Sequence, residues 1–140
     1  MTITQTQRNE CAQKLSAGAG RIGQFTAFLG LDGFVDEIFH VVDTRQDAEH
    51  YTRLSRMEQW GKRISDAADK STNIELVTKM LKLGGNGPIM ANALTSFGVK
   101  VSYLGILGHP TIHPVFKEFI QRAEVWSIAE PGYTFAVEFE

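Results

Sequence analysis

The sequence predicts an α/β fold with a largely parallel central sheet. Three observations carry that expectation. In the second half of the chain, apolar runs of strand length alternate with segments whose apolar residues recur at helical spacing. A glycine-rich junction, Lys82-Leu83-Gly84-Gly85-Asn86-Gly87-Pro88, joins an apolar run to a helix start. Finally, no internal repeat or low-complexity linker interrupts the 140 residues, a length that suits one domain.

The elements follow in order. Residues 5–16 suit a polar helix, ended by the glycine-rich stretch 16–23. Residues 25–31 (FTAFLGL) form an apolar, aromatic-rich run closed by Asp32-Gly33, which predicts a buried strand. Residues 34–43 (FVDEIFHVVD) are β-prone with charges inserted, as in a strand partly open to solvent. Between 47 and 68, Tyr51, Leu54, Met57, Trp60, Ile64 and Ala68 fall at steps of three or four, predicting one amphipathic helix. Residues 73–83 (NIELVTKMLKL) fit a strand or a helix equally. Pro88 suits a first helical turn and Gly98 a helix stop, which places a helix at 88–97. Residues 100–108 (KVSYLGILG) predict a strand, and 113–123 a helix with Val115, Phe116, Phe119, Ile120 and Ala123 on one face. VWSIA and YTFAVEFE predict two last strands. In the last, Phe135, Val137 and Phe139 alternate with polar or small residues, and the pattern runs to the final residue. An unpaired strand edge is a liability in water. That pattern predicts the front part of a longer protein, and self-association of this chain at least to a dimer, through strands 34–43 or the open sheet edge. The alternative is that the helix at 47–68 covers the outer face and leaves a monomer.

Composition excludes several classes of function. The net charge of −2 leaves no basic footprint for nucleic acid. One cysteine, Cys11, rules out an internal disulfide and suits a reducing compartment. The N-terminal stretch lacks the basic start and apolar core of a secretory signal, and no apolar run approaches the ~18 residues of a membrane span. A cytoplasmic chain with no membrane partner is expected. His40, His50, His109 and His113 show no metal-ligand spacing, so no metal site is expected.

The glycine junction is the candidate site. It lacks the lysine of a Gly-x-x-x-x-Gly-Lys phosphate loop, and Gly85-Asn86-Gly87 is not continued into Gly-x-Gly-x-x-Gly. Two readings remain. It is a tight turn, or it is a place where unpaired helix N–H groups and the Asn86 amide meet polar groups of a ligand. Upstream, LGLDGFVDEI brings Asp32 and Asp36 to the end of an apolar strand beside Gly33. Ionised carboxylates are strong acceptors for sugar hydroxyls, and they are equally at home in turns and edge strands.

Together these stretches resemble the ribokinase-like carbohydrate kinases, the PfkB family. The residues that carry the resemblance occur in family order. They are Gly30 to Asp36, Gly84-Gly85-Asn86 to Ala93, Phe97-Gly98, Val101 to Gly108, and Thr134 to Val137. The resemblance covers the chain from about Phe25 onward, and its specificity lies in that co-linearity. It implies a ribokinase-like, Rossmann-type three-layer core with a small β lid, truncated before the ATP-binding half. It makes residues 1–140 the N-terminal part of one kinase domain, with lid elements at about 34–43 and 73–83 and a helical insertion at about 47–68.

The resemblance also implies roles. Asp36 would hold sugar hydroxyls, Asn86 would contact the same sugar, and Gly85 and Asp32 would contribute to substrate binding. Gly84 and Gly85 would form the hinge between lid and core. The complete kinase would use ATP and Mg2+ to phosphorylate a sugar or nucleoside. The family's catalytic base lies in a Gly-Ala-Gly-Asp stretch. Gly18-Ala19-Gly20 is followed here by Arg21 and precedes the first strand, so no catalytic residue is assigned and the chain alone is expected to be inactive. Ile89 stands where ribokinase has a helix Asn near the sugar, and the segment between Asp36 and Gly84 is longer than a simple lid. The competing class is a non-catalytic binding or interaction domain from a truncated PfkB-like chain.

Overall fold

The computed structural model describes residues 3–140 as mixed α/β. The first two residues of the N-terminal stretch lie outside the described part. The chain divides into two compact units, the first holding the described residues up to Gly33 together with Gly85–Pro131, the second holding Phe34–Gly84 and Gly132–Glu140.

The first unit is built on a three-stranded parallel sheet. β1 (Thr26–Leu29), β5 (Lys100–Gly105) and β6 (Glu124–Ser127) lie in the order β1-β5-β6, with Ala27 beside Val101 and Tyr103 beside Val125. β5 alternates as a half-covered strand should: Val101, Tyr103 and Gly105 are buried, while the residues between them are not. α3 (Asn86–Ser96) packs on β5 and buries Pro88, Ala91 and Thr95, a three- and four-residue rhythm. Gly98 follows α3 with φ +91, the left-handed conformation that ends helices cheaply only at glycine. The core centres on Tyr103, Phe116 and Phe119, all essentially buried, with the Tyr103 and Phe119 rings edge to face at 5.3 Å. Burial of each such ring contributes about 1.5–3 kcal/mol.

Between β5 and β6 the expected helix at 113–123 is shorter than its apolar spacing suggested. It is a 3-10 turn, Pro114–Phe116, running into the single-turn α4 (Lys117–Ile120). Phe116 and Phe119 stand three apart, and a three-residue spacing serves a 3-10 turn as well as an α-helix. α1 (Gln5–Ala19) begins with a capping box in which Thr4 and Gln7 bond reciprocally, and none of its residues is buried. It runs further than expected, taking in Gly18 and Ala19, with Gly20 as its C-cap. Among the described residues no helix is long and apolar enough to cross a membrane.

The second unit is organised by one long strand, β2 (Phe34–Arg45), whose buried members are Val35, His40, Val41 and Val42. β4 (Leu76–Gly84) runs antiparallel along one edge, Phe34 opposite Gly84 and Asp36 opposite Lys82, with a register shift between Ile38 and Phe39. The ambiguous 73–83 segment is therefore a strand, decided by its partner. β2's other edge is shared. β7 (Gly132–Val137) runs parallel to Phe34–Phe39, and β3 (Tyr51–Arg53) is antiparallel to the far end.

Two expectations are corrected here. The stripe at 47–68 is not one helix: its first part closes a hairpin, and only α2 (Met57–Asp66) is helical. Asp47 makes that turn, its Oδ1 accepting the N–H groups of Glu49 and His50 at 2.8 Å each. Tyr51 is then held in β3 opposite Arg45, where a helix cannot begin. The last strand is not unpaired either. β7 pairs with β2, Glu138 N–H donates to Phe39 O at 2.9 Å, and Phe139 packs on Trp60 with ring centres 5.6 Å apart. One edge of β7 and one edge of β4 remain outermost among the described residues.

Candidate functional site

The predicted site residues divide between the units. Asp32, Gly85 and Asn86 belong to the first, Asp36 and Gly84 to the second.

In the first unit, β1 ends at Leu29 and the chain turns through Asp32-Gly33. The turn sits close to β5: a Cβ on Gly33 would collide with the carbonyl of Ile106 and with Leu107. α3 starts at Asn86 after Gly85, whose φ of +88 no other residue adopts cheaply. Gly85 has no side chain to cap the helix, and the cap comes from 55 residues upstream. Asp32 Oδ1 accepts the N–H of Gly87 at 3.0 Å, which satisfies one of the orphan donors of the first turn. A carboxylate at that end is also favoured by the helix dipole. Gly87 is small because a Cβ there would strike both Asp32 Oδ1 and the Tyr103 hydroxyl. Pro88 sits in the first turn, where its missing N–H is not needed. Asn86 is exposed at the helix start.

Sequence reasoning missed Tyr103 and Gly87. The Tyr103 ring is fully buried, and its hydroxyl donates to Asp32 O at 2.6 Å and lies 3.2 Å from Asp32 Oδ1. Burial first, then the Asp32 charge and the hydrogen bond to it, push the phenol well above its usual range. The signal was present in the sequence: a tyrosine at a core position of an apolar strand needs a partner for its hydroxyl. Nothing local names that partner.

In the second unit, Asp36 and Gly84 meet. Phe34 faces Gly84 across the ladder, so Gly84 is the diagonal neighbour of Asp36 on the same face. The carboxylate lies directly over the glycine, where a Cβ would collide with all three carboxylate atoms. Asp36 is half-buried, and among the described residues its side chain makes no hydrogen bond. A carboxylate there keeps its full acceptor capacity.

Gly18-Ala19-Gly20 lies at the C-terminal end of α1. A helix C-terminus presents carbonyls and the negative end of the dipole, which repels an anion. Of the histidines, His40 is buried between Tyr51 and Arg53, its Nδ1 3.1 Å from the Tyr51 hydroxyl and its Nε2 accepting from Arg53 at 2.9 Å. Among the described residues no group of three or more His, Cys, Asp and Glu side chains could hold a metal ion.

The described residues thus include a parallel α/β unit, a strand-rich unit, and free or helix-capping carboxylates at glycine junctions. The class of protein comes from comparison with known proteins. The family model described as prokaryotic ketohexokinase matches residues 2–140, and the chain belongs to that family. It is 30% identical over 121 residues to the ketohexokinase of Haloferax volcanii, a match covering 85% of this chain and 32% of that relative. The chain thus spans about a third of the length of the curated relative it matches. No solved structure gives a significant match. The resemblance to sugar kinases holds at the level of family.

Proposed function

We propose that this chain is the substrate-binding portion of an ATP-dependent kinase that transfers a phosphoryl group to a hydroxyl of a ketohexose. The family match over residues 2–140 carries the proposal. The name ketohexokinase favours a ketohexose over the nucleoside that motif order alone left open. A ribokinase-like core with a β lid at β2 and β4 is the fold this reading takes.

The geometry supports roles for the named residues. Asp36, with its acceptor capacity unspent, receives substrate hydroxyls, and charge-assisted bonds of that kind are the strong ones. Gly84 must lack a side chain for the Asp36 carboxylate to stand where it does. Asp32 and Asn86 offer polar groups beside Gly85 at the start of α3. The division between the compact units falls between Gly84 and Gly85, which suits the hinge role. ATP is the phosphoryl donor and Mg2+ the counter-charge in the complete reaction. Among the described residues no group of three or more His, Cys, Asp and Glu side chains could hold the metal.

Isothermal titration of the chain with D-fructose and, separately, adenosine tests the substrate class, and a coupled ADP-release assay tests catalysis. The expected result is heat from D-fructose, none from adenosine, and no turnover. Binding of adenosine without D-fructose would refute the ketohexose reading. Turnover that disappears when residues of this chain are mutated would refute the purely substrate-binding assignment.

A further inference from the structure

Asp32 is tied down at both its main chain and its side chain. Tyr103 donates to its carbonyl at 2.6 Å and shares its Oδ1 at 3.2 Å, and Gly87 N–H donates to the same Oδ1 at 3.0 Å. The hydroxyl that does this is carried by a ring with no freedom, fully buried and edge-on to Phe119. Two glycines make room for it. A Cβ on Gly87 would strike the hydroxyl, and a Cβ on Gly105 would strike the ring and Asp32 O. Among the described residues Asp32 Oδ2 accepts no hydrogen bond, and it lies over Gly85, where a Cβ would come within 3.0 Å of it.

We propose that Tyr103 is a positioning residue for substrate binding: with Gly87 N–H it fixes the Asp32 carboxylate so that Oδ2 stands as a pre-oriented acceptor for a substrate hydroxyl at the start of α3. This rests on the ketohexose reading above. The physical gain is pre-organisation. A side chain that is immobilised before binding loses nothing further when the ligand arrives, whereas a swinging carboxylate must be ordered by the ligand. The phenol remains a donor throughout the neutral range, since burial and Asp32 both hold its proton on.

The test is a double-mutant cycle with Tyr103→Phe and Asp32→Asn, read by isothermal titration with D-fructose and by the Gly87 amide signal in a 15N–1H spectrum. Tyr103→Phe keeps the ring and its packing. It is expected to weaken D-fructose binding about tenfold and to move the Gly87 amide signal. In the Asp32→Asn background the same substitution is expected to change binding by less than about twofold, because the carboxylate acceptor that Tyr103 orients is no longer there. A merely structural Tyr103 would weaken binding by the same factor in both backgrounds, and that result overturns the proposal. So does unchanged D-fructose affinity in Tyr103→Phe while the wild type binds. If the wild type binds no ketohexose, the functional reading fails instead, and the substrate role of Tyr103 fails with it.

Discussion

The closest approach in the second unit makes a quantitative prediction. Gly84 is the last residue of β4, its backbone is not in the left-handed region, and its place on the ladder is ordinary. Alanine could therefore adopt the same φ and ψ, and Gly→Ala at a compatible site stabilises by about 0.4–1 kcal/mol through the unfolded chain. Here the new Cβ would lie inside 3.0 Å of Oδ1, Cγ and Oδ2 of Asp36. The obstacle is the end of a short side chain and can be relieved by rotating χ1, at about 0.5–1.5 kcal/mol. The two effects nearly cancel, so Gly84→Ala should shift stability by under about 1 kcal/mol in either direction. In an Asp36→Ala background the collision is gone, and Gly84→Ala should stabilise by about 0.4–1 kcal/mol. The coupling between the two sites is thus about 1 kcal/mol. Urea denaturation of the four proteins measures it from midpoint and slope. Identical effects of Gly84→Ala in both backgrounds would refute the steric argument. On the ketohexose reading the displaced carboxylate also weakens D-fructose binding about tenfold while stability barely moves, a separation that core damage would not produce.

Three further expectations follow from the same structure. Asp36→Ala should weaken D-fructose binding by well over tenfold and Asn86→Ala less, since only the first removes a charge-assisted acceptor; equal affinities with reduced stability for Asp36→Ala would make it a strand residue only. The raised Tyr103 phenol contributes stability that is present below the ordinary tyrosine range and lost as pH rises through its folded value. Denaturation midpoints should therefore fall above about pH 10, and Tyr103→Phe should flatten that alkaline limb; an unchanged limb would contradict the assigned shift. Phe135 and Tyr133 are exposed on β7, and burying such a face against a second copy predicts a dimer by light scattering after size exclusion, whereas a single 15.6 kDa species at high concentration would reject it.

What the sequence determined by itself is the local part of this protein. The apolar runs at 25–31, 100–108 and 125–129 became β1, β5 and β6, because a short run of β-prone residues has few other uses, although β1 is not the buried strand its composition predicted, Phe28 being 69% exposed. Pro88 and Gly98 bracketed α3 to within two residues, since a missing N–H and a positive φ are demands of single residues. Asp32, Asp36 and the glycine junction were legible as a candidate site for the same reason: residue types there announce special backbone or unusual charge. The tertiary structure decided everything that depends on a distant partner. Residues 73–83 fitted two periodicities until β2 paired with them. The stripe from Tyr51 to Ala68 read as one helix because its spacing is helical, yet Tyr51 is captured by Arg45 in a hairpin and only the part from Met57 onward turns. The final strand looked unpaired because its partner, β2, lies about a hundred residues earlier. Asp32 caps a helix 55 residues away, and Tyr103 reaches it from 71. Backbone preferences act over a few residues and can be read from them, whereas hydrogen-bond partners and steric neighbours are set by which segments the core brings together, and no window of sequence contains both halves of such a pair.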